Sequence, residues 1–168
     1  GMCFYCPKSG VTSLLERLET KGLRTAQSQY HRGGRAAYEA SKTLLSNRST
    51  PKNLTVVQLD TTTPKALVRA TIELCQSCEI TAMPGEIMRG SVIPGINFVV
   101  TDASGAPVAT ASSYAMHAPN TPRATEAFWG VLATREDYRG QGLAGLLGAM
   151  AIEYMWEKVG MRAFNTGI

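Results

Sequence analysis

Apolar positions recur at helical spacing twice in the first part of the chain. Between Val11 and Gly22, Leu14, Leu15 and Leu18 form one stripe, Ser13 and Glu16 have the spacing of a capping box, and Gly22 supplies a stop. A second helix is expected from about Gly34 to Ser46. The polar, proline-containing run "SNRSTPKN" (46–53) then marks an expected boundary between an N-terminal helical extension, residues 1–52, and a main domain, residues 53–168. The run "LTVVQLD" from Leu54 has the composition of a strand, and Thr63 and Pro64 offer an N-cap and a first-turn proline to a helix reaching Ile80. On that helix Leu67, Thr71, Leu74 and Cys78 share a face. A loop rich in Gly and Pro, Met83 to Gly95, has room for one helical turn at Glu86 to Arg89. Three apolar runs with short links, Ile96 to Ala103, Val108 to His117 and Glu126 to Arg135, predict an antiparallel meander. From Gly140 to about Val159 the pattern is helical again. Its first three turns are apolar or small almost all round, as expected of a helix packed between layers. "RAFNTGI" closes the chain as a last strand candidate.

Composition narrows the class. A chain of 168 residues that is 44% hydrophobic has enough apolar material for one domain of ordinary size and an appendage. No run of eighteen apolar residues occurs and the start lacks the layout of a secretory signal, so no membrane partner and a cytoplasmic location are expected. Gly1-Met2 resembles what a cleaved tag leaves behind. The net charge of +4 is too mild to argue for nucleic acid, and the cluster "RTAQSQYHRGGR", Arg24 to Arg35, reads as a solvated basic surface. The cysteines form two Cys-x-x-Cys pairs, Cys3/Cys6 and Cys75/Cys78, but 68 residues separate them, against roughly 15–20 in structural zinc ribbons. They are expected as core thiols, with no metal.

The stretch "REDYRGQGLAGLLGAM", Arg135 to Met150, holds two phosphate-binding patterns at once. Read from Gly140 it is Gly-x-Gly-x-x-Gly, a dinucleotide fingerprint. That fingerprint follows directly on the first strand of a parallel βαβ unit and needs an acidic residue about 20 positions on. Here the loop follows a meander late in the chain, and Asn165 stands where the acid belongs. Read from Arg139 it is Arg-x-x-Gly-x-Ala, preceded by an apolar strand and followed by a helix. "LATREDYRGQGLAGLL" resembles the coenzyme A loop of the GNAT superfamily of N-acetyltransferases, specifically from about Phe128 to Ile168 and in element order back to Leu54. A helix N-terminus carries about half a positive charge and unpaired N–H groups, so it holds a pyrophosphate without a lysine. Small residues at Gly140, Gly142 and Ala144 let phosphates approach the backbone, and Arg139 adds a charge-assisted bond.

The resemblance implies an α/β (α+β) fold with a mixed, mostly antiparallel sheet flanked by helices, acetyl-CoA as co-substrate, and a primary amine on a small molecule or peptide as acceptor. It implies that Leu132, Ala133 and Thr134 pair with the pantetheine arm, that Arg139, Gly140, Gln141, Gly142, Leu143 and Ala144 hold the phosphates, and that Asn165 contacts pantetheine. A protonated amine needs a base before it attacks. Glu126, at the start of the strand leading to the loop, is the first candidate, and His117, whose side-chain type titrates near neutral pH, is the second. A non-catalytic acyl-CoA-binding module is the rival reading. The usual last helix and two strands of the family are not found after Ile168, which predicts that the exposed edge of the last strand pairs either with the N-terminal segment or with a second copy in a homodimer.

Overall fold

The computed structural model describes residues 8–25 and 30–167. Two compact units divide them at 29/30. In the first, helix α1 (Lys8–Glu19) begins three residues before the expected Val11, so Ser13 lies inside the helix and caps nothing. It ends as predicted at Gly22, whose φ of 72° lies in the left-handed region, with the Leu23 N–H returning to the Leu18 carbonyl at 3.1 Å.

The second unit is built on six strands: β1 (Tyr30–Gly33), β2 (Thr55–Gln58), β3 (Gly95–Thr101), β4 (Pro107–Tyr114), β5 (Glu126–Thr134) and β6 (Ala163–Gly167). Their order is β1-β6-β5-β4-β3-β2, and every neighbouring pair is antiparallel except β5 with β6. The predicted meander is β3-β4-β5, extended by β2. The strand on the outer edge of β6 is β1, from the N-terminal segment, with Arg32 opposite Asn165.

Alternation along the central strands separates two layers. On one side Ile96, Phe98, Val100, Ala109, Ala111 and Ala127 pack on Leu143, Leu147 and Ala151 of helix α5 (Leu143–Tyr154). Each buried leucine there stabilises the fold by roughly 1.5–3 kcal/mol. Helix α2 (Arg35–Asn47) covers the far side of α5, which is why α5 is apolar all round. The two helices run antiparallel: Tyr38 stacks on Trp156 with centroids 4.7 Å apart, and Leu44 reaches Gly145. After Tyr154 the helix widens into a π turn, Met155–Val159, and Gly160 stops it. On the other side of the sheet lie α3 (Lys65–Ser77) and the single turn α4 (Gly85–Met88), with Val68, Leu74, Cys75 and Met88 buried.

Two local expectations change. The buried face of α3 is Val68, Thr71, Leu74 and Cys75, rotated from the predicted one, so Leu67 and Cys78 lie at its margin. Thr63 does not cap α3: its hydroxyl accepts from the Asp60 N–H at 2.9 Å, and Asp60 in turn accepts from Thr62 and Thr63. Those bonds, the Thr62 hydroxyl first, hold the Asp60 carboxyl below its ordinary range. Among the described residues no helix is long and apolar enough to cross a membrane.

Helix α5 meets β5 through a glycine. Trp129 Nε1 donates to the Gly148 carbonyl at 2.9 Å, and a Cβ on Gly148 would stand 2.6 Å from the Trp129 ring. Gly148→Val is expected to lower stability by about 2 kcal/mol through overpacking, read as a lowered urea midpoint.

Candidate active site

Strands β5 and β6 pair for only three residues, Glu126 with Ala163, Ala127 with Phe164 and Phe128 with Asn165. Beyond Phe128 they part, although β5 runs on to Thr134 and stays on β4. Among the described residues, a strand edge is thereby left without a strand partner on the β6 side. The β4–β5 register shifts in this region: Ser112 faces Gly130 and Thr110 faces Ala133, so one extra residue sits on β5. Val131 absorbs it with a φ of 53°, a conformation that costs a β-branched residue roughly 1–3 kcal/mol. The Ser112 hydroxyl donates to the Gly130 carbonyl at 3.1 Å and fixes the bulge. Its consequence is a change of face. Val131 and Ala133 point to the α3 side, while Leu132 packs with the α5 side and lines a cavity.

That cavity, about 510 Å³, opens at the start of α5 and is lined by Leu132, Thr134, Tyr138, Arg139, Gly140, Gly142, Leu143 and Ala144, with Cys78 and Ile80 from the α3 side. Gly140 and Gly142 have φ of 77° and 76°, which any other residue adopts only with strain. Among the described residues no side chain caps α5, and its first backbone bond runs from the Leu146 N–H to the Gly142 carbonyl, so the N–H groups of Leu143, Ala144 and Gly145 point out of the helix end. Arg139 Nε donates to the Thr134 carbonyl at 3.2 Å, holding the guanidinium beside the loop. Arg135 stiffens the approach by pairing with Asp137 at 2.8 and 3.0 Å and lying 4.6 Å over the Tyr138 ring. Hydrogen bonding from Arg135 keeps the Asp137 carboxyl below its ordinary range.

The remaining candidates stand toward the other end of β5, where Glu126 lies roughly 25 Å along the strand from Thr134 at about 3.3 Å per residue and Asn165 pairs with Phe128. Glu126 is buried, and both its oxygens are engaged: Oε2 accepts from Arg32 at 3.0 Å and Arg123 at 3.2 Å, and Oε1 accepts from Asn165 at 3.1 Å. The group ties β1, β5, β6 and the loop before β5 together. Asn165 thus turns its amide nitrogen on Glu126, while its Oδ1 is buried without a partner among the described residues. His117 is half-buried three residues past the end of β4, whose last residue Tyr114 pairs with Phe128. Leu132, Thr134, Arg139, Gly140, Gly142, Leu143 and Ala144 line the cavity together; Ala133 packs in the α3-side core, and Gln141, Glu126, Asn165 and His117 are not among the lining.

The architecture has solved counterparts. The chain is similar to a GCN5-related N-acetyltransferase from Kribbella flavida, with a TM-score of 0.60 and 16% identity over 95% of this chain and 54% of that one. A tandem GNAT protein from the clavulanic acid biosynthesis pathway matches with a TM-score of 0.64 and 16% identity, covering 98% and 51%. A GCN5-related N-acetyltransferase-like protein from Streptococcus suis matches with a TM-score of 0.55 and 18% identity, covering 92% and 56%. The chain has the GNAT fold. It spans about half the length of these structures. No family model and no curated protein matches the sequence.

Within this GNAT fold the loop residues were legible from the glycine pattern, whereas Val131, Cys78 and Ile80 were not. Nothing in the local sequence marks Val131 as the bulge, because Val is an ordinary strand residue. Cys75 is a core thiol as expected, pushed up to about 11 by burial. Cys78 instead lines the cavity and donates from Sγ to the Thr134 carbonyl at 3.5 Å. Cys3 and Cys6 lie outside the described residues, and among the described residues no group of three or more His, Cys, Asp or Glu is placed to hold a metal ion.

Two outcomes follow from this geometry. Glu126→Ala leaves the buried Asn165 amide without its carboxylate acceptor and is expected to cost about 2 kcal/mol, read in urea unfolding. Iodoacetamide at pH 8 is expected to label Cys78 in the native protein and Cys75 only after unfolding, as peptide mapping would show.

Proposed function

We propose that this chain binds acetyl-CoA in the cavity at the start of α5 and transfers the acetyl group to a primary amine of a small-molecule or peptide acceptor. The observation that carries the reading is the uncapped helix end opening, through left-handed glycines, into a cavity bordered by the part of β5 that β6 no longer pairs with. The residues present fit the group. The N–H groups of Leu143, Ala144 and Gly145 would donate to the pyrophosphate, with Gly140, Gln141 and Gly142 as the backbone cradle and Arg139 as the adjacent cation. Leu132, Ala133 and Thr134 would offer main-chain groups to the amides of the pantetheine arm. The thioester supplies an activated acyl carbon when bound. A β5 N–H beside the bulge is suited to receive the negative charge that develops on the acyl oxygen.

The acceptor amine has to lose a proton before it attacks. Glu126 is engaged by three donors, which suits it to positioning β1, β5 and β6; His117, at the same end of the sheet, is the remaining candidate base. The occupation of Glu126 also favours a second reading, a non-catalytic acyl-CoA-binding or regulatory module. Thiol release in the presence of an amine panel separates the two, since only the enzyme releases coenzyme A faster than the protein-free control.

Calorimetric titration tests the binding common to both. Acetyl-CoA is expected to bind and NADH not, and the Arg139→Ala, Gly142→Glu double variant should lose at least about tenfold in affinity, because an acid then sits at the helix end meant for an anion. Absence of acetyl-CoA binding by the intact chain would remove both readings. Saturating coenzyme A should also slow alkylation of Cys78 and leave the unfolded-state labelling of Cys75 unchanged.

A further inference from the structure

We propose that Arg48, from the segment between α2 and β2, is a further ligand of the pyrophosphate site, so that the N-terminal β1–α2 segment completes coenzyme A binding; this rests on the acetyl-CoA reading of the cavity. Arg48 lies outside the loop motif by more than 90 positions. It reaches the loop through helix packing. Because α2 runs antiparallel to α5, the stack of Tyr38 on Trp156 at one end and the contact of Leu44 with Gly145 near the other bring the C-cap residue of α2 to the first turn of α5. The C-cap residue is Arg48, and its guanidinium lies on Gly142: a Cβ there would stand 3.0 Å from Arg48 Cζ and run into Nη1. Gly142 is required for its φ, and the arginine packs against its bare Cα.

The charge arrangement points to an anion. At the C-terminus of α2 a cation is in favourable surroundings, but the side chain extends from there onto the N-terminus of α5, where the helix dipole repels it. Arg48 is exposed at the rim of the loop, and among the described residues it forms no ion pair and donates no side-chain hydrogen bond, so its guanidinium is available to a ligand arriving from solvent. The Arg48 guanidinium and the positive end of α5 thus converge at Gly142, and Arg139 stands close by on the Thr134 carbonyl. A pyrophosphate seated between the Arg48 guanidinium and the α5 N–H groups would relieve this repulsion and give the fork-shaped donor the bidentate oxygen partners it suits. Arg48 would act as a binding and positioning residue, and the bound cofactor would bridge α2 to α5.

The test is calorimetric titration of the intact chain and of Arg48→Ala and Arg48→Lys with coenzyme A and, separately, with dephospho-coenzyme A, which keeps the pyrophosphate and lacks the 3′-phosphate. Arg48→Ala is expected to weaken both ligands by about the same factor, on the order of tenfold, with Arg48→Lys in between and with unchanged far-UV circular dichroism. Wild-type affinity in Arg48→Ala would overturn the proposal while leaving the cavity reading intact. A loss confined to coenzyme A would equally overturn it, since the arginine would then be serving the 3′-phosphate. If the wild-type chain bound neither ligand, the acetyl-CoA reading itself would fail and this inference with it.

Discussion

The parting of β5 from β6 after three residue pairs is the constraint on which the site depends. A parallel pair that continued would satisfy the β5 edge and close the space beside the loop. Because β5 leaves β6 while remaining on β4, its edge opens toward the start of α5, and the two walls of the cavity come from opposite layers of the sheet. The bulge at Val131 takes part in the same arrangement. It reverses the facing of the last four residues of β5, which turns Leu132 toward α5, and the Ser112–Gly130 bond holds that strained backbone in place. Unpaired edges and positive φ cost stability, and the large apolar layers on both sides of β3 and β4 offset them.

The N-terminal segment is joined to this sheet at two places by different physics. At one end β1 adds a strand to the outer edge of β6 and is held through Arg32 on the buried Glu126 carboxylate. At the other, α2 lies along α5 by aromatic stacking and by small residues that allow close approach. Edge coverage of this kind answers the liability of an open β6 edge. It also gives α5 apolar neighbours on two sides, which accounts for a helix with almost no polar face.

Glu126 shows how a residue type can suit two roles that only its surroundings separate. A carboxylate at the start of the strand before a coenzyme A loop fits a proton acceptor, and a carboxylate receiving two guanidiniums and an amide fits a structural tie. The donors come from residues 32, 123 and 165, two of them remote in the chain. Strand spacing does not reveal them, because they converge only when β1 and β6 pair side by side.

Local sequence determined a good deal of this protein. Alternation over Ile96 to Thr134 specified the meander, glycine spacing at 140 and 142 specified a left-handed strand-to-helix turn, and the all-apolar start of α5 specified a helix buried between layers. These are short-range properties, set by backbone sterics and by hydrophobic period. Helix capping was less legible: Ser13 and Thr63 have capping chemistry, but the actual starts of α1 and α3 lie elsewhere because neighbouring turns used the hydroxyl or extended the helix. The bulge at Val131, the turn of Cys78 into the cavity, the Glu126 tie and the placing of Arg48 on Gly142 were decided only by tertiary structure. Each requires groups distant in sequence to meet, and such meetings depend on strand register and helix crossing, which no local pattern encodes.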